Sequence, residues 1–164
     1  MHTAAFAKPP APGQATVEAG RISVEAVLVD ALRACDAWIP ELSLVATSGD
    51  GSVVGHVVCS RASAGAAPVL GLGPLGVLPA FQRQGVGHAL MHAVLGAADA
   101  LGEPIIVLLG HSDYYPLFGF RLAEEYGITP PVPGWAPNFQ ARTLSTYTPA
   151  IRGDFAYAPP FDDV

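Results

Sequence analysis

The chain has 164 residues, of which 51% are hydrophobic and 13% charged, with a net charge of −6; this fits one domain with its own core and excludes a disordered chain. Lysine and arginine together number eight and form no basic cluster, which excludes nucleic-acid binding through phosphate neutralisation. No stretch reaches the ~20 unbroken apolar residues of a membrane span, and the start, with Lys8, Pro9 and Pro10, lacks the pattern of a secretory leader, so the expected location is the cytoplasm.

One domain is expected over residues 1–164, opening with an irregular Ala-, Pro- and Gly-rich segment at 1–21. Residues 23–35 read as a helix, with Val24, Val27, Leu28, Ala31 and Leu32 at three- and four-residue steps and Ser23 as N-cap. Residues 42–47 and 52–60 read as strands joined by the turn cluster Ser48-Gly49-Asp50-Gly51, an antiparallel hairpin. Residues 62–68 read as a loop and 69–78 as a third strand. Glycines and Pro74 inside that strand mark a bulge or a close approach by a ligand or another backbone. Val86, Leu90, Ala93, Val94, Ala97 and Leu101 form the stripe of a long helix, stopped by Gly102 and Pro104. Residues 105–109 are a short apolar run that suits a buried strand, and the order strand, helix, strand predicts a parallel crossover. A short helix is expected at 114–118. The C-terminal part, 129–164, reads as a proline-rich extended loop at 129–137 and late strands at 139–146 and 154–157. Cys35 and Cys59 are not in a Cys-x-x-Cys pair and read as buried thiols.

The strongest chemical signal is Gln82-Arg83-Gln84-Gly85-Val86-Gly87 at the start of the long helix. The first N–H groups of a helix lack partners and carry partial positive charge, which suits a phosphate or pyrophosphate. Glycines at 85 and 87 remove side chains that would block a diphosphate from those amides, and Arg83 adds a charged donor. Two other patterns fail their context. Gly71-Leu-Gly-Pro-Leu-Gly76 matches a dinucleotide fingerprint, but Pro74 sits inside it and strand-like sequence follows. His88 and His92 are four apart on a helix, but position 89 is alanine and no third metal ligand is evident, so solvated or capping histidines and no metal are expected.

The stretch from Leu75 to Leu90, Leu-Gly-Val-Leu-Pro-Ala-Phe-Gln-Arg-Gln-Gly-Val-Gly-His-Ala-Leu, resembles the central motif of the GCN5-related N-acetyltransferases, the GNAT family. In that motif a strand ends in Val-x-Pro, then comes Gln/Arg-x-x-Gly-x-Gly/Ala, then a helix. Glu41-Leu-Ser-Leu-Val-Ala and Val54-Gly-His-Val resemble the family's central hairpin. Tyr114-Tyr115-Pro116-Leu117-Phe118-Gly119-Phe120 resembles its Phe-Tyr-x-x-x-Gly-Phe ending. The resemblance covers about residues 42–120 and implies an α/β fold. A mixed, twisted sheet would be flanked by helices and splayed between the third strand and residues 105–109. The family's first strand has no counterpart in the sequence. Met1-His-Thr-Ala-Ala-Phe6 resembles the end of the family's first helix, so that strand is expected to be missing or to lie upstream. An edge left open in this way would favour a homodimer.

The resemblance also implies a reaction: direct transfer of an acetyl group from acetyl-CoA, the co-substrate, to the primary amine of a small-molecule or peptide acceptor. The backbone of Leu75, Gly76 and Val77 would pair with the pantetheine arm as if it were an added strand. Arg83, Gln84, Gly85, Val86, Gly87 and His88 would bind the pyrophosphate, and Tyr115 would be the general acid for the departing thiolate. A backbone N–H near Val77 would stabilise the oxyanion. The base stays open, because residues 69–77 contain no acid. Glu41, His56, His111 and Asp113 are candidates, and Glu41 and His111 are carried forward. A non-catalytic acyl-CoA-binding or sensing module is the alternative. The family's Asn-x-x-Ala stretch is absent, since only Gly110-His-Ser-Asp113 separates Leu109 from Tyr114. Trp135 either lines the acceptor cleft or packs the core; loops rather than fold set the acceptor.

Overall fold

In the computed structural model, which describes residues 24–163, two helices flank an eight-stranded mixed sheet. The irregular segment 1–21, the Ser23 cap and the matter of a first strand lie outside the described residues. Helix α1 (Val24–Arg33) buries Ala26, Leu28, Val29 and Leu32 and leaves Val27 exposed, so its buried face is rotated round the helix from the predicted stripe. Strand β1 (Trp38–Thr47) starts four residues ahead of the expected strand. Trp38 pairs with Ser60 across a register shift that separates it from the regular pairing of Ser43 with Val58.

The next two strands correct the expected loop at 62–68. Strand β2 (Val53–Ala64) and strand β3 (Ala67–Val77) form one hairpin, paired out to Ala64 and Ala67. Alanine is a weak strand former, which hid this pairing from a propensity argument. Tertiary burial overrides it: Ala62 and Ala64 sit in a core cluster with Phe155. The turn depends on Gly65, at φ +57°, where a Cβ would lie 2.6 Å from the Arg152 carbonyl oxygen.

Helix α2 (Val86–Ala100) buries Leu90, Met91, Val94, Leu95 and Ala98. Ala93 and Leu101, placed on the stripe by the sequence, are exposed, because the contact face lies about one residue round the helix. Strand β4 (Ile105–Leu109) follows. Then come β5 (Arg121–Leu122), β6 (Ile128–Thr129), β7 (Phe139–Thr143) and β8 (Gly153–Ala156). The proline-rich loop is not wholly extended: it opens with β6 and contains a 3-10 turn at Pro133–Asn138.

The sheet order is β5-β7-β4-β3-β2-β8-β6, with β1 paired along the same edge of β2 that β8 takes at Ser63 and Ala64. Strand residues alternate between the faces. Val57, Cys59, Leu70, Leu72, Ile106 and Leu108 pack under α2. On the opposite face, Val58 meets α1, and Val69, Ile105 and Val107 meet Phe139 and Phe155. Each fully buried residue of this kind contributes about 1.5–3 kcal/mol. Strands β3 and β4 are parallel but pair only at Leu70↔Ile106 and Gly71↔Val107. Beyond those pairs β3 stays with β2 to Val77, and β4 stays with β7 to Leu109. A wedge-shaped gap opens between them.

Candidate active site

Three pieces of chain meet at this gap. The first is the end of β3 and the turn after it. Leu78 N–H donates to the Val54 carbonyl at 2.8 Å, in register with the Gly76↔His56 pair. Alternation in an antiparallel ladder turns the N–H and C=O of Gly76 toward β2 and those of Leu75 and Val77 toward the gap. Of the three residues expected to offer backbone there, Leu75 and Val77 face it, and Gly76 contributes only its missing side chain. The Val77 carbonyl accepts from Gln82 Nε2 at 3.0 Å, so Val77 keeps its N–H for the gap.

Past a 3-10 turn at Pro79–Phe81, Arg83 and Gly85 take φ of +61° and +86°. Arg83 is the one non-glycine among the described residues with positive φ, at a cost on the order of 1 kcal/mol. Alternating handedness across Arg83, Gln84 and Gly85 is the geometry of an anion-binding nest of amides. Ala89 N–H returns to the Gly85 carbonyl at 3.0 Å. The N–H groups of Val86, Gly87 and His88 precede it and have no intrahelical acceptor. The positive end of the helix lies behind them. Gly85 is open on its Cβ side, with nothing within 4 Å.

The second piece follows β4. The His111 carbonyl accepts the N–H groups of both Tyr114 and Tyr115, at 3.3 and 3.4 Å. Buried Gln140 donates to the Gly110 carbonyl at 3.1 Å and the His111 carbonyl at 3.4 Å. These bonds shape a short turn that ends in the 3-10 segment Tyr115–Phe118. The Tyr114 hydroxyl hangs over the first turn of α2, where a Cβ on Gly87 would come within 2.9 Å of it. His88 and His92 are exposed, as a solvated pair would be, but both rest edge-on against Phe118, at 5.0 and 5.3 Å between ring centres. They fasten the turn to α2. Tyr115 lies on the backbone of Gly110. Burial, with a smaller contribution from Tyr114, pushes its phenol up to about 12.

The third piece comes from the C-terminal segment. Tyr157 packs on Gly71, where a Cβ would come within 2.9 Å of its ring. It meets Phe155 edge-on at 4.7 Å and stacks on Phe161 at 4.4 Å. Burial pushes its phenol up to about 12, against a hydrogen bond from the Leu109 backbone that lowers it; Tyr115 adds a smaller upward push. The two tyrosines are therefore electrostatic neighbours across the mouth of the gap. A cavity of about 410 Å³ opens here, with Leu72, Gly73 and Pro74 of β3 and Leu109 of β4 on its wall. Trp135 also lines it.

The candidate bases are scattered. His111 is exposed, two residues past the end of β4. Glu41 is exposed on β1, with β2 and β3 between it and β4. Asp113 is exposed in the turn. His56 is buried in β2, its Nε2 2.9 Å from the Ser43 hydroxyl. Cys59 is buried and its thiol is pushed up by burial, whereas Cys35 is partly exposed. Among the described residues no three His, Cys, Asp or Glu side chains cluster to hold a metal ion. No described helix is long and apolar enough to cross a membrane. Sequence reasoning passed over Tyr157, Phe161 and Asp162. The alternating aromatics Phe155 and Tyr157 were the available signal for the first. Nothing local marked the other two.

Residues 20–118 match the Acetyltransferase (GNAT) family. The chain is 35% identical over 116 residues to the uncharacterized N-acetyltransferase YjhQ of Escherichia coli, covering 68% of this chain and 64% of that protein. It thus spans just under two thirds of that relative's length. Among solved structures, the GNAT family N-acetyltransferase YhbS of Escherichia coli, in complex with CoA, superposes with a TM-score of 0.79 at 30% identity, covering 85% of this chain and 78% of the other. A GNAT family acetyltransferase from Brucella melitensis, in complex with acetyl-CoA, superposes with a TM-score of 0.72 at 36% identity, covering 98% and 87%.

Proposed function

The chain belongs to the acetyltransferase (GNAT) family, and we propose that it transfers an acetyl group from acetyl-CoA to the primary amine of an acceptor. The observation that carries this reading is the gap between β3 and β4. It runs from a nest of unpartnered amides at one end to a cavity at the other. Solved relatives in complex with CoA and acetyl-CoA support the same ligand here.

The amides of residues 83–88 and the Arg83 guanidinium hold the diphosphate. Backbone groups of Leu75 and Val77 hold the extended pantetheine arm as a sheet edge holds an added strand. The thioester then lies in the gap near Tyr115. The acceptor amine comes from the cavity side and attacks the acetyl carbon. A C–N bond forms, and the Val77 N–H stabilises the negative oxygen of the tetrahedral intermediate. On collapse the C–S bond breaks. Tyr115, kept in its proton-bearing form by burial, donates to the departing sulfur. The amine's proton leaves to a base. We take His111 over Glu41 for that role, because His111 stands two residues past the end of β4, a strand that borders the gap, while Glu41 is two strands away.

Release of free CoA thiol on mixing acetyl-CoA with a panel of primary amines tests this function. The expected result is release that depends on the amine and is slowed in Tyr115→Phe. Tight CoA binding with no release for any amine would leave a sensing module in place of an enzyme.

A further inference from the structure

The wall of the cavity at the gap specifies its guest more narrowly than a primary amine. This step rests on the acetyl-transfer reading above. Four aromatic side chains, Trp135, Phe155, Tyr157 and Phe161, line the cavity, and Asp162 is the one charged residue among the described lining residues. The rings are tightly organised: Tyr157 stacks on Phe161 and meets Phe155 edge-on. One glycine of β3 makes room for them: a Cβ on Gly71 would come within 2.9 Å of the Tyr157 ring.

We infer that the acceptor is an arylalkylamine, a primary amine carried by a flat apolar body. An aromatic or alkyl body gains from burial against these rings and from edge-to-face packing. Its ammonium group is drawn to the mouth by the Asp162 carboxylate and tolerated by the ring faces. The amine then loses its proton and points to the gap between Leu72 and Leu109. Acceptors of other classes fit poorly. A polyamine or aminoglycoside brings several charged or hydroxyl groups into a wall with a single carboxylate, and each one buried without a partner carries a desolvation cost. A peptide N-terminus needs backbone partners, where this wall offers rings. A cavity of about 410 Å³ is in the ordinary size range for a small-molecule site.

The test compares kcat/KM for 2-phenylethylamine and tryptamine with that for spermidine, kanamycin and a short peptide with a free N-terminus, alongside calorimetric titration with CoA. The arylalkylamines are expected to exceed the others by about tenfold or more. Asp162→Asn, at an exposed position, is expected to raise KM for 2-phenylethylamine about threefold. Trp135→Ala is expected to raise it about tenfold, with CoA affinity unchanged in both variants as the check on folding. Binding of CoA together with equal or faster acetylation of spermidine, kanamycin or the peptide overturns the acceptor class and leaves the transferase reading standing. Binding of CoA with no reaction of either arylalkylamine does the same where another amine reacts. Failure to bind CoA removes both.

Discussion

The ring of Tyr115 lies so closely on the backbone of Gly110 that a single methyl group at position 110 would overlap it. The glycine thus sets where the phenol sits relative to the gap. Tyr115→Phe keeps the ring and removes the hydroxyl proposed as proton donor, so kcat is expected to fall about 10²-fold or more while CoA affinity stays within about twofold. Gly110→Ala keeps the hydroxyl and moves the ring. It is expected to lower kcat comparably, because a misplaced acid is nearly as poor as a missing one. Steady-state kinetics with calorimetric CoA titration separate these effects from a loss of cofactor binding.

Tyr115 and Tyr157 both stay protonated in the folded protein up to about pH 12, against an ordinary phenol value of 10. Burial is the larger cause in each. In the unfolded chain both ionise near 10, so above that pH the unfolded state holds fewer protons than the folded state. Stability is therefore full below about pH 10 and is lost as pH rises toward about 12, by about 2–3 kcal/mol for each group. Melting temperatures measured across this window are expected to fall steeply, with tyrosinate absorbance rising on unfolding. Tyr157→Phe should flatten the fall. An equally steep fall in that variant would show that Tyr157 is not one of the groups responsible.

The glycine-marked helix start at residues 85–87 was legible because its signal is local. Two glycines, an arginine and a helix start fall within six residues, and backbone geometry follows from them. The gap between β3 and β4 was legible only through the family resemblance, since no residue type encodes where two strands part. The hairpin at Ala62 to Ala67 was not legible at all. Ala62 and Ala64 are buried with Phe155, some ninety residues away in the chain, and long-range burial leaves no mark on local propensity. The same holds for the cavity wall. Trp135, Tyr157 and Phe161 come together through folding of the C-terminal segment, and only Trp135 drew notice from the sequence. The turn with Arg83 at positive φ lay between these cases, because glycine predicts such a conformation and arginine does not.

Arg83 carries backbone strain that glycine would relieve, while its side chain faces solvent at the mouth of the amide nest. Arg83→Gly is expected to stabilise the fold slightly or leave it unchanged, and to weaken CoA binding about tenfold through the lost guanidinium. Gly85→Ala acts in the opposite way. It meets no neighbouring atom, so its cost is conformational, on the order of 1 kcal/mol, with CoA weakened as the nest distorts. Thermal melts paired with CoA titrations decide the matter. Arg83→Gly with both stability and CoA affinity unchanged would remove the arginine from the site.

His111 allows a clean separation of side chain from scaffold. Its backbone carbonyl accepts from Tyr114, Tyr115 and Gln140, and those bonds survive any substitution that keeps the local backbone. His111→Ala therefore removes the imidazole without dismantling the turn that holds Tyr115. If the imidazole takes the amine's proton, kcat is expected to drop about 10²-fold, with Tyr115 still titrating as in the parent protein. Glu41→Gln, two strands from the gap, is expected to change kcat less than about twofold. Small exogenous imidazole added to His111→Ala should restore part of the rate, a rescue that a structural role would not give. Full activity in His111→Ala would mean that the amine loses its proton to water or to another group before attack.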